Sequence, residues 1–187
     1  MKKLDSFVFP ALIIVGAALL RLVPHAPNFA PIGAMALFGG AYLPKRWALV
    51  LPLAAMFLSD IFIGFDGVDG RAAVYGSFLL IGLLGIWLGN HKSAANIIGA
   101  SLAGSLLFFL ITNFTVLYTE SLYPRTWAGL LESYTMALPF FRYTVLGDVF
   151  YTAVFFGGFE LAVRMVKKPA IIGVEGGKRK DLLSRDK

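Results

Sequence analysis

The sequence predicts an all-α, polytopic membrane protein: six transmembrane helices in one bundle, with both ends on the cytoplasmic side. Three observations carry that expectation. The 187 residues are 58% hydrophobic and only 15% charged, with a mean hydropathy of +0.74, whereas a soluble domain covers its surface with about 25% charged residues. The apolar residues are gathered into six runs separated by short polar stretches. The basic residues concentrate on alternate stretches, as the positive-inside rule describes.

The first run covers 7–20 and closes on Arg21-Leu22-Val23-Pro24. The second, 30–43, carries Pro31 near its start, where a missing N–H costs a helix little. The third covers 47–65, the fourth 72–88, the fifth 94–117 and the sixth 143–166. A helix rises about 1.5 Å per residue and needs roughly 20 apolar residues to cross a core of about 30 Å. Runs three to six meet or approach that length, and the first reaches it if extended to Val23. The second is either a tight span or a re-entrant segment.

Charge placement decides between those two. With the N-terminus inside and every run crossing, the inner stretches hold Lys2, Lys3, Lys45, Arg46, Lys92, Arg164, Lys167, Lys168 and the basic residues up to Lys187. Only Arg21, Arg71, Arg125 and Arg142 fall outside. If the second run did not cross, the Lys-rich tail would fall outside too, so six spans are expected. Residues 1–168 then form one transmembrane domain and 169–187 a basic cytoplasmic tail, held near anionic headgroups of the lipid bilayer. The net charge of +6 is thereby read as a topology signal, and no nucleic-acid partner is expected. Lys2-Lys3 ahead of an apolar stretch ending in Gly16-Ala17-Ala18 is reminiscent of a secretion signal. Asp5 and Pro10 count against cleavage, so the first run is expected to remain as a helix.

Small residues recur four apart: Ala36 and Gly40 in the second run, Gly85 and Gly89 in the fourth, and Ala95, Gly99 and Ala103, with Ala100 and Gly104 beside them, in the fifth. Close backbone approach drives helix association in lipid, so these positions are expected to form packing faces. The chain has no cysteine and only two histidines, His25 and His91. No disulfide, no metal centre and no cofactor are therefore expected.

Function is to be sought among polar residues in or beside the spans. Glu160 precedes Arg164 by four positions, which a helical ion pair explains. Asp60 lies in the outer half of the third run and Asp148 just inside the outer end of the sixth, at the level of Arg21 and Arg142. An acid within a span costs roughly 2.5–3.5 kcal/mol on insertion scales, so each is expected to meet a cavity or a partner. Structural pairing with Arg21 or Arg142 and contact with a ligand are equally compatible with this placement. The first outer connection, with Pro24, Pro27 and Pro31, is stiffened by its prolines and offers His25, Asn28 and Phe29. The last outer connection, 118–141, is rich in aromatic residues, and its part from 127 to 138 reads as a helix lying on the membrane interface. The expected site is a pocket under these loops, with His25, Asn28, Asp60, Asn113, Arg142 and Asp148 as polar contacts and Phe29 and Trp127 for stacking.

The run Pro24-His25-Ala26-Pro27-Asn28-Phe29-Ala30-Pro31-Ile32-Gly33-Ala34-Met35-Ala36-Leu37-Phe38-Gly39-Gly40-Ala41-Tyr42, together with Leu58-Ser59-Asp60-Ile61, resembles the signature of an uncharacterised family of small bacterial membrane transport proteins. That family is similar to the substrate-binding S components of energy-coupling factor (ECF) transporters. The resemblance implies an S-component-like bundle in the bacterial inner membrane, a vitamin- or micronutrient-like small-molecule substrate held on the outer side, and an ECF-type energising module as partner. Relatives that take up cobalamin alone carry a cysteine at the metal, and this chain has none. S components that dock on a shared module carry Ala-x-x-x-Ala on the first helix. Here that helix has Ala11, Gly16, Ala17 and Ala18 without such a pair. No nucleotide-binding signature is present, so any use of ATP would need another subunit.

Two other classes are compatible with such a bundle. An intramembrane aspartyl hydrolase needs two acids sharing a proton, and Asp60 and Asp148 are the available pair. The Gly-x-Gly-Asp element is incomplete, because Val145 stands where the first glycine belongs. No catalytic residue is assigned, and the protein is not expected to be an enzyme. A structural or accessory membrane protein without transport is the remaining alternative.

Overall fold

The computed structural model describes residues 5–64, 68–119 and 122–167. The basic tail expected over 169–187 lies outside the described residues. The described chain forms helices α1 (Asp5–Leu20), α2 (Ile32–Tyr42), α3 (Lys45–Ala48), α4 (Val50–Ile63), α5 (Val68–Asn90), α6 (Ala94–Thr119) and α7 (Trp127–Lys167), with no strand among the described residues. Four helical stretches are long and apolar enough to cross a membrane: Lys45–Ile63, Gly70–Asn90, Ala94–Tyr118 and Trp127–Val166. Two apolar helices, Phe7–Leu20 and Ile32–Tyr42, are shorter. The surface fits that reading. Leu12, Leu19, Leu58, Phe62 and Leu146 are all more than half exposed, an outer face suited to lipid rather than water.

The short second run is the centre of the bundle. Every residue from Gly33 to Ala41 is buried, and Phe38 is completely enclosed. A helix apolar on all sides is stable only when covered on all sides, and α2 packs against α1, α4, α5, α6 and α7. Its most extensive partner is α5, and glycine explains the closeness. A Cβ added at Gly40 would lie 2.8 Å from the Gly85 backbone, and one at Gly89 would lie 3.2 Å from the Ala41 carbonyl. The two predicted small-residue faces therefore meet each other. On α6 the outcome divides. Ala100 and Gly104 are buried, whereas Ala95, Gly99 and Ala103 are exposed.

Two boundaries differ from those the sequence suggests. The third run is broken at Leu49 into α3 and α4, and α4 ends at Gly64. That residue has φ +107°, and its N–H donates to the Asp60 carbonyl at 2.9 Å, a left-handed helix end that favours glycine. The sixth run is longer than expected, because α7 continues without interruption from Trp127 through Pro139 to Lys167. The helix expected to lie on the interface over 127–138 is instead the first part of α7, folded back along α6. Ser133 Oγ donates to the Asn113 carbonyl at 3.0 Å and Tyr134 Oη to the Leu110 carbonyl at 2.8 Å. Phe109 stacks on Phe141 at 4.5 Å further along the same pair. These contacts satisfy polar groups of the segment against α6.

Polar contacts gather at the two ends of the bundle. At one end Phe7 meets Trp47 at 6.0 Å and Phe9 meets Phe159 at 5.3 Å. There too Tyr42 Oη donates to Glu160 Oε1 at 2.7 Å, and the Lys92 ammonium lies 3.8 Å from the Tyr42 ring centroid. Glu160 thus bonds Tyr42, where the sequence suggested Arg164. Burial lowers the Lys92 pKa, with Glu160 opposing. At the opposite end lie Arg21, Asp60 and the Pro24–Pro31 connection.

Candidate functional site

Two buried acids occupy that second end, and they do different things. Asp60, near the end of α4, accepts from the Arg21 guanidinium at 2.6 Å through Oδ1 and from Tyr75 Oη at 2.6 Å through Oδ2. Arg21 also donates to the Met56 carbonyl at 3.0 Å and to Ser59 Oγ. Met56, Ser59 and Asp60 sit at helical spacings of three and four, so one face of α4 meets one guanidinium. The network ties α1, α4 and α5 together, and the charge of Asp60 is matched where it lies.

Asp148 has no such match. It lies on α7, 6% exposed, and its hydrogen-bond partner is Ser105 on α6, which donates to Oδ2 at 2.6 Å. One turn deeper, Thr152 Oγ1 donates to Ser101 Oγ at 3.3 Å. Together these form a two-rung polar ladder across α6 and α7, at positions four apart on each helix. Gly33 of α2 faces the carboxylate so closely that an added Cβ would fall 2.8 Å from Asp148 Cγ. No hydrogen bond joins Asp60 to Asp148 among the described residues, and the two carboxylates have different partners.

Above Asp148 the bundle opens. An inner chamber of about 70 Å³ is lined by Asn28, Ala30, Ile32, Gly33, Phe78, Phe108, Thr144 and Asp148. An outer chamber of about 230 Å³ shares Asn28, Phe108 and Thr144 with it and adds Val74, Phe109, Thr112, Asn113, Ala137, Phe140 and Phe141. The two form one cleft between the start of α2 and helices α5, α6 and α7. The connection that roofs it is pinned. Asn28 adopts φ +63°, a left-handed conformation that asparagine tolerates better than most residues. The Phe29 N–H closes a turn onto the Ala26 carbonyl at 3.0 Å. The backbone at Phe29 lies so near Gly147 that a Cβ there would approach Phe29 Cα to 3.1 Å.

Three of the predicted site residues share this cleft: Asn28, Asn113 and Asp148. The others do not line it. Asp60 belongs to the Arg21 network. His25 is exposed and its Nδ1 lies 3.0 Å from the Ala26 carbonyl. Phe29 packs on Phe150 and Tyr151 at 5.8 and 5.6 Å, which makes it an anchor for the connection. Arg142 is exposed, donating to Tyr143 Oη at 3.3 Å. Trp127 is 83% exposed and borders a separate groove at the α6–α7 turn, beside Tyr118 and Arg125. Residues not expected from the sequence are Ser105, Thr112 and Thr144, and the phenylalanines at 78, 108 and 109, whereas Phe140 and Phe141 belong to the aromatic outer connection expected to border the pocket. Ser105 was detectable in part: Ser101 and Ser105 repeat at four within an apolar run, as Asp148 and Thr152 do.

The fold and the cleft define a helical membrane protein with a small, mostly apolar cavity over a buried acid. The chain belongs to a family of unknown function (DUF6580), whose model matches residues 1–171. No curated protein and no solved structure matches it.

Proposed function

We propose that this protein binds a small molecule from the outer side of the bacterial inner membrane and serves its transport, as a substrate-binding, S-component-like subunit. The observation that carries the reading is the two-chambered cleft with Asp148 at its foot. A buried acid inside a span, with no basic side chain paired to it among the described residues, is costly and is found where it serves a ligand or an ion. Small-ligand sites are mostly apolar, with a few convergent polar groups, and the lining has that make-up.

In this reading all six apolar helices cross, α1 and α2 being the short spans, and both termini lie in the cytoplasm. The separation of Lys45, Arg46 and Lys92 from Arg21 and the cleft along the bundle supports that orientation. In this reading any use of ATP would need a separate energising module, since the sequence carries no nucleotide-binding signature. Native mass spectrometry of the full chain, gently purified from bacterial membranes, tests the proposal. The expected result is a non-lipid adduct that is lost when Ala137→Trp fills the outer chamber. A protein that carries only lipid, unchanged by Ala137→Trp, contradicts it and favours the accessory or structural alternative.

A further inference from the structure

The chemistry lining the cleft selects a class of ligand. Among the described residues, the inner chamber is lined by one carboxylate, Asp148, and neither chamber by a Lys, Arg or His. Arg142, the nearest arginine in sequence, is turned to Tyr143 instead. The hydroxyl hydrogens of the lining are already committed. Thr112 Oγ1 donates to the Phe108 carbonyl at 2.8 Å and Thr144 Oγ1 to the Phe140 carbonyl at 3.3 Å. These threonines therefore present lone pairs to the cavity. Asn113 has committed one amide N–H, to the Phe109 carbonyl at 2.8 Å, which leaves its side-chain oxygen to accept and its second N–H to donate.

The apolar part of the wall is aromatic. Phe78 and Phe108 flank the inner chamber, with Phe108, Phe109, Phe140 and Phe141 around the outer one. Ring faces attract cations and flat rings. A cavity of about 150 Å³ holds a benzene ring, and a single water occupies about 30 Å³. The outer chamber is thus the size of one ring system, and the inner one the size of a small polar head.

We infer that the cleft takes a small organic cation: a planar ring in the outer chamber, bearing an amine or amidinium group that donates to Asp148 in the inner one. The inference rests on the cleft being a ligand site, as proposed above, and adds the charge and shape of what it holds. Phosphates and carboxylates are disfavoured, because they would meet an uncompensated acid and find no basic partner.

Three ring-sized probes separate the possibilities: benzamidine, benzamide and benzoate, each presented to the full chain in lipid nanodiscs and read by saturation-transfer NMR. Benzamidine is expected to show the strongest transfer. It is expected to fall about tenfold in affinity in Asp148→Asn, the loss of a charge-assisted hydrogen bond, and to be lost in Ala137→Trp. Unliganded thermal unfolding checks that both variants are folded, and the ranking of the three probes on the unmodified chain needs no variant at all. Benzamide or benzoate binding as well as benzamidine, sensitive to Ala137→Trp, overturns the assignment of charge while leaving the cleft as a site. So does benzamidine binding that Asp148→Asn leaves unchanged. No Ala137→Trp-sensitive signal from any probe overturns the ligand site itself, and the inference with it.

Discussion

Breaking the Arg21–Asp60 pair from one side should cost more than removing both partners together. The two side chains are 9% and 13% exposed and 2.6 Å apart. In Asp60→Leu the guanidinium keeps the Met56 carbonyl and Ser59 but loses its counter-ion. In Arg21→Met the carboxylate keeps Tyr75 but loses the Arg21 guanidinium. Leaving one buried charge uncompensated costs about 3–5 kcal/mol, whereas replacing a buried pair by apolar residues of similar volume is often near neutral. Each single variant is therefore expected to lose about 3 kcal/mol or more, and the double variant Arg21→Met/Asp60→Leu less than either. Equilibrium unfolding by SDS in bicelles, followed by tryptophan fluorescence, gives the three differences. Singles that add to the double within about 0.5 kcal/mol would refute the reasoning, because that is how independent sites behave.

Three further expectations follow from the packing. Gly85→Ala places a Cβ 3.0 Å from both Gly40 Cα and the Leu37 carbonyl carbon. Backbone cannot yield as a side chain does, so a loss of about 1–3 kcal/mol is expected; Gly158→Ala, with nothing within 4 Å, should be neutral or stabilising by about 0.5–1 kcal/mol, both read by the same SDS unfolding. Tyr42→Phe removes the bond to Glu160 but keeps the ring beside Lys92, and should cost about 1 kcal/mol in that assay. Arg142→Ala and Trp127→Ala should leave both stability and benzamidine transfer unchanged, since neither side chain lines the cleft; a loss of transfer in either would restore it to the site.

How much of this was legible in the sequence depended on which signal each feature obeys. The number and order of apolar helices followed from hydropathy, and the Ala36–Gly40 and Gly85–Gly89 seam from residue size. Periodicity was silent on α2, whose residues are apolar on every side, so nothing in its pattern distinguished a short span from a central, fully enclosed helix. The sixth run was expected to begin at 143, yet α7 begins at Trp127 and passes through Pro139, its first turns held by the Ser133 and Tyr134 bonds to α6.

The site was half legible. Asp148 and Asn113 are conspicuous as polar residues in apolar runs. Asp60 looked the same, and only three-dimensional placement showed that Arg21 takes its charge. Arg142 and Trp127 are polar and aromatic at the expected level, but helix rotation turns them away, and rotation about a helix axis is poorly fixed where the sequence is apolar all round. The phenylalanines of the cleft could not be told from the other aromatic residues among the 17 phenylalanines of the chain.

The proposed function requires a cleft that opens to the outer side of a bundle with both termini inside. The absence of cysteine makes single-cysteine labelling in intact cells the most direct measurement, using a membrane-impermeant maleimide on Asn28→Cys, Ala137→Cys and Lys92→Cys. Asn28→Cys and Ala137→Cys should label without permeabilisation, and Lys92→Cys only after it. Labelling of Lys92→Cys in intact cells, with Asn28→Cys protected, would invert the orientation and contradict the claim.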